Sequence, residues 1–173
     1  MNAQRADWRF LLRHPAHAIA LGFGSGLAPR APGTAGTLWA WAVFVAVEHG
    51  VGSLPWAALL PAALLIGVWA CTLCARHMGV SDPGAIVWDE IIAFWAVLWL
   101  IGPAAWWVQL LAFALFRFFD AAKPGPVGWA DRRFKPAPGA AVGWLQGFGI
   151  LFDDLVAAAC TLGVMALLSP LWT

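Results

Sequence analysis

The chain has 173 residues, enough for one domain, of which 62% are hydrophobic and 11% charged, with a mean hydropathy of +0.76. Soluble domains carry about a quarter charged residues, so this composition excludes an ordinary soluble globule and points to an integral membrane protein. A net charge of +1 gives no reason to expect a nucleic-acid partner, and self-association is not indicated.

Taken in chain order, residues 7–21 (DWRFLLRHPAHAIAL) mix Arg and Trp with Leu and Ile and read as an interfacial amphipathic segment interrupted by Pro15. No short apolar core with a small-residue cleavage site is present in the N-terminal region, so no removable signal peptide is expected. Five helical segments follow, at about Leu38 to Glu48, Trp56 to Arg76, Asp89 to Ile101, Ala104 to Phe119 and Ile150 to Leu168. The second is the cleanest span, because about twenty residues at 1.5 Å rise cover a hydrocarbon core of roughly 30 Å. Gly102 and Pro103 separate the third and fourth, since proline breaks a helix interior. The expected fold is therefore an all-α polytopic membrane bundle of about five membrane helices, some short or re-entrant, plus an N-terminal interfacial helix. One domain is expected, with residues 1–21 as the interfacial segment and 22–173 as the bundle that carries the site.

Charge is concentrated. Every Asp, Glu, Lys and Arg except Glu48 falls in residues 1–36, 76–90 or 117–154. A hairpin of the third and fourth segments brings all three islands to one side. All ten Lys and Arg, among them Arg5, Arg76, Arg117 and Lys135, then share that side. The positive-inside rule places the islands in the cytoplasm and the C-terminus outside.

The islands hold candidate chemistry. Asp89 and Glu90 open the third segment, Asp120 closes the fourth, and Asp153 and Asp154 open the fifth. Converging carboxylates repel unless cations intervene, and a hard divalent cation such as Mg²⁺, held by one or two carboxylates and a substrate phosphate, is the economical solution. Adjacent helix residues point about 100° apart, so one acid of each pair faces the metal and the other supports it. N-capping would explain one acid per helix start, but not Asp120 at a C-terminal end. Asp89, Glu90, Asp120, Asp153 and Asp154 are accordingly the candidate catalytic residues, with Asp89, Glu90, Asp153 and Asp154 as metal ligands.

The stretch GFGSGLAPRAPGTAGT offers Ser25, Arg30, Thr34 and Thr37 among five glycines, suited either to an anion cradle or to close helix packing. It lacks the G-K-[S/T] of a Walker loop. Lys123, three residues after Asp120 on one helical face, is a candidate phosphate ligand, Pro124 and Pro126 end that helix, and Arg132 and Arg133 offer guanidinium forks for phosphate. His77, near Asp82 and Asp89, is a candidate base or a helix-end residue. Cys71, Cys74 and Cys160 lie in apolar helices without a second Cys/His pair and read as packing residues.

In this order, GFGSGLAPRAPGTAGTL (22–38), MGVSDPGAIVWDE (78–90), FRFFDAAKPGPVGWADRR (116–133) and GFGILFDD (147–154) resemble the phosphatidylglycerophosphatase A family. The resemblance implies a Mg²⁺-dependent enzyme of the bacterial inner membrane that removes the terminal phosphate of phosphatidylglycerophosphate to leave phosphatidylglycerol. The chain departs from the family pattern at 134–146, where about a dozen residues replace a short turn and Gln146 takes a glycine position. Patterns of two other lipid-phosphate enzymes are absent: the D-G-x2-A-R of CDP-alcohol phosphotransferases and the P-S-G-H of acid-phosphatase-like enzymes. The alternative is a cation-dependent lipid-phosphate binding or transport protein without hydrolase activity.

Overall fold

A computed structural model describes residues 6–52, 54–134 and 142–171, and every regular element among them is helical. The N-terminal segment folds as two short helices, α1 (Trp8–Leu11) and α2 (Pro15–Ala20). Each has a local reason to start. The Asp7 carboxylate accepts from the Phe10 N–H at 2.7 Å, His14 Nδ1 accepts from the Ala16 N–H at 3.0 Å, and Pro15 occupies a first-turn position that needs no donor. Phe10, Leu11, Ala16, His17 and Ala20 are buried, and α2 packs on α4, so this segment is docked on the bundle. A tight 3₁₀ segment (Gly22–Leu27) leads into α3 (Pro32–Gly50).

The remaining helices are α4 (Trp56–Met78), α5 (Trp88–Ile101), α6 (Trp106–Ala122), α7 (Pro126–Arg133) and α8 (Trp144–Leu168). At the centre α5 packs against α3, α4, α6 and α8, and buries Trp88, Ile91, Ile92, Ala93, Phe94, Val97 and Leu98. A helix apolar on all sides must be enclosed. Two helices, α4 with 23 residues and α8 with 25, are long and apolar enough to cross a membrane. By contrast α5, with 14 residues, extends only about 21 Å.

Several boundaries differ from expectation. Helix α3 begins at Pro32 rather than Leu38, because proline suits a first helical turn. The same property makes Pro126 start α7, where a stiff turn is expected; Lys123 ends α6 in the left-handed conformation (φ 46°). Helix α8 likewise starts six residues early, at Trp144 instead of Ile150. The Gln146 side chain caps this start by accepting from the Gly143 N–H at 2.8 Å. Gly147 lies inside the helix because a Cβ there would strike the Thr72 hydroxyl of α4. The break at Gly102 is as expected (φ +69°), and the α5–α6 hairpin returns the chain to the same end. Of the 134–146 stretch, residues 135–141 lie outside the described residues, as do Arg5 and Lys135. Cys71 and Cys74 are fully buried, consistent with packing.

Candidate functional site

Four helices bring carboxylates together. Asp89 and Glu90 sit in the first turn of α5, Asp120 in the last turn of α6, Asp131 in α7, and Asp153 and Asp154 in α8. The two α8 acids lie about ten residues, or roughly 15 Å, into their helix. End-capping therefore cannot account for them. Both are buried, with 7% of Asp153 and 3% of Asp154 exposed.

The helical turn between Asp153 and Asp154 sends them to different partners. Asp154 joins Asp89 and Glu90, and one carboxylate oxygen from each lies within 4.8 Å of the others. Asp153 instead accepts from Lys123 Nζ at 2.5 Å, and the same ammonium donates to Asp131 at 2.5 Å. Burial lowers the Lys123 pKa, but hydrogen bonds and charge from Asp131 and Asp153 outweigh it and leave the value raised. Lys123 is therefore a fixed cation. A cleft beside it is lined by Ser81, Asp82, Asp131, Gln146 and Asp153.

Arg117 closes the other flank. Its guanidinium lies 2.5 Å from Asp120, 3.9 Å from Glu90 and 3.4 Å from the Thr37 hydroxyl. Asp89, Glu90 and Asp154 turn carboxylate oxygens toward one another. Ionised carboxylates are acceptors only, so each such contact requires a proton or a cation. Glu90 Oε2 is moreover buried without a hydrogen-bond partner. An orphaned acceptor of this kind costs about 1–3 kcal/mol or more unless something binds it. A hard divalent cation with oxygen ligands about 2.1 Å away suits this donor set, since opposed ligands would then stand about 4.2 Å apart.

The start of α3 walls the site. A Cβ at Gly33 would collide with Glu90 Oε1 and come within 3.2 Å of the Arg117 guanidinium. Thr37 spends its hydroxyl on the Gly33 carbonyl (2.8 Å) and Ser25 on the Gly22 carbonyl (2.9 Å). The glycine-rich stretch thus serves close packing against residues 85–91. Thr34 is half-buried in the first turn of α3, whereas Arg30, Arg132 and Arg133 are exposed. Arg133 lies 5.8 Å over the Phe134 ring. His77 does not reach the acids: its Nδ1 lies 2.7 Å from His17 Nε2, in a group with His14 on the N-terminal helices. Burial lowers the His17 pKa.

Sequence reasoning missed Arg117 and Asp131. Arg117 reads as a flanking positive charge, although its spacing of three from Asp120 was a signal. Asp131 lacks an acidic neighbour and needs the fold of α7 to reach Lys123.

Buried carboxylates from separate helices, bordered by a lysine and an arginine within an apolar bundle, define the class as a helical protein of membrane-compatible composition with a buried polar cluster at one end. The profile of the phosphatidylglycerophosphatase A family matches residues 18–169, and the chain belongs to that family. It is 35% identical to the phosphatidylglycerophosphatase A of Escherichia coli over 170 residues, covering 96% of this chain and 91% of that protein. It is 39% identical to the Haemophilus influenzae phosphatidylglycerophosphatase A over 147 residues, covering 85% and 84%. No solved structure matches.

Proposed function

We propose that this protein hydrolyses the terminal phosphomonoester of phosphatidylglycerophosphate, giving phosphatidylglycerol and phosphate in phospholipid biosynthesis. Family membership supports the reaction, and the convergence of Asp89, Glu90 and Asp154 carries the site assignment. These three residues would hold Mg²⁺, with Asp153 holding Lys123 beside it. Bound there, the ion would supply Lewis-acid stabilisation of phosphoryl charge and a more acidic water. Lys123 and Arg117 are placed to neutralise phosphate oxygens as charge develops. Asp120 holds the Arg117 guanidinium in place beside the cluster. Exposed Arg30, Arg132 and Arg133 attract the anionic headgroup at the membrane surface.

In the bilayer α4 and α8 span, with α3, α5 and α6 completing a five-helix membrane bundle in which the 14-residue α5 is enclosed by its neighbours. The charged end faces the cytoplasm of a bacterial inner membrane, and lipid enters laterally. A reporter fused to the C-terminus is expected to be active outside the cytoplasm.

The decisive test is phosphate release from phosphatidylglycerophosphate by purified protein in detergent, with Mg²⁺ and then with excess chelator. Release is expected only with the metal, and Asp154→Asn eliminates it without unfolding the protein. Folded wild-type protein that releases no phosphate under either condition would overturn the hydrolase reading in favour of cation-dependent lipid-phosphate binding.

A further inference from the structure

The end of the bundle away from the carboxylates carries a second polar feature. Glu48 lies fifteen residues along α3 from Gly33, about 22 Å from the site wall. It is the one Asp or Glu outside the three charged islands, and no Lys or Arg occurs in residues 31–75, 91–116 or 155–173. Its Oε1 accepts from the Trp56 indole N–H at 2.9 Å, and Trp56 stacks on Phe44 with centroids 5.0 Å apart. Between them and the α5–α6 turn is a cavity of about 610 Å³, lined by Phe44, Glu48, Trp56, Trp99, Pro103 and Gln109. That volume is typical of ligand sites, which run from about 300 to 1,000 Å³. Gln109 is held in place, accepting from the Trp41 indole at 2.6 Å and donating to the Ala104 carbonyl at 2.9 Å.

A carboxylate set among tryptophan and phenylalanine rings is complementary to an ammonium group, which gains from the counter-ion and the ring faces together. No lysine or arginine in the adjoining segments competes for it, and the exposed His49 is the other titratable group lining the cavity. Trp56 is shared with a second slot of about 270 Å³ between α3 and α4, lined by Val43, Val47, Leu59, Leu60 and Ile66. Leu59 and Ile66 are exposed on the bundle flank. A polar pocket beside an apolar slot, with the buried Trp56 as their common wall, suits a headgroup and a chain of one lipid lying side by side on the bundle flank.

We propose that this end of the bundle binds a phospholipid with an ammonium headgroup. Glu48, held by the buried Trp56 indole, is the counter-ion, Phe44 and Trp99 are the ring walls, and one acyl chain lies in the α3–α4 slot. The site is independent of the hydrolytic reading, because none of these residues belongs to the carboxylate cluster.

The test compares lipid adducts retained by the purified full-length protein in native mass spectrometry. Dioleoyl-phosphatidylethanolamine is offered against the same lipid with its amine acetylated. The wild type is expected to retain the free-amine lipid roughly tenfold over the capped one. Glu48→Gln, which keeps an acceptor for the Trp56 indole, brings the ratio near one with unchanged thermal stability. Val47→Trp, which fills the slot, lowers retention of the free-amine lipid. Ethanolamine in large excess leaves the lipid bound. An equal preference in the wild type and Glu48→Gln overturns the proposal, as does displacement by free ethanolamine or full retention by Val47→Trp.

Discussion

Lys123→Met removes one ammonium that neutralises two carboxylates, and its cost can be worked out from the geometry. Nζ lies 2.5 Å from both Asp131 and Asp153, whose side chains are only 12% and 11% exposed. A unit-charge pair 4 Å apart at an effective dielectric of 20 is worth about 4 kcal/mol. Losing one partner of a buried pair typically costs about 3–5 kcal/mol, because the survivor stays buried and uncompensated. The ammonium itself is 32% exposed, which lets water screen part of the loss and brings the expected destabilisation to about 2–4 kcal/mol. Denaturant unfolding in micelles, followed by circular dichroism, measures it. Adding Asp131→Asn to Lys123→Met removes one of the two carboxylate charges that the ammonium neutralised and should recover about 1–2 kcal/mol. A Lys123→Met loss below about 0.5 kcal/mol would refute the reasoning, since the two contacts could not then be strong. The raised lysine pKa means that this contribution is fully present below about 10.5 and is lost as pH rises through the folded value.

Gly33→Ala drives a methyl into Glu90 Oε1, so phosphate release should fall at least tenfold while overpacking costs about 1–3 kcal/mol by thermal unfolding. With a dissociation constant near 1 mM, 10 mM Mg²⁺ would stabilise the fold by about 1.4 kcal/mol; Glu90→Gln should remove this shift in a melting experiment. His17 is buried with a lowered pKa, so the unfolded chain takes up its proton first. Stability should therefore decline as pH drops below about 6.5 and level off below the folded value. His17→Gln should flatten that slope in pH-dependent melting curves.

The carboxylates show what could be read early. Asp89, Glu90, Asp120, Asp153 and Asp154 are visible as acids bordering apolar segments, because a bilayer-compatible sequence keeps few charges without use. Helix identity was equally legible for α4, α5 and α6, where long apolar runs and the Gly102–Pro103 break leave little choice. The start of α8 was not. Gly147 and Gly149 look like a loop until α4 and Phe134 stand beside them, when the missing side chain at Gly147 becomes the condition for contact with Thr72 and that at Gly149 for contact with Phe134.

Composition and charge order alone determined that this chain is helical and apolar, with every acid but Glu48 and all its cations gathered in three islands. Which acid meets which partner was decided only by tertiary structure. Asp153 and Asp154 are adjacent in sequence and chemically identical, yet one turns to Lys123 and the other to Asp89 and Glu90. The helical step between them is a local property, but the neighbours it selects are set by the packing of α5, α6 and α7 around α8.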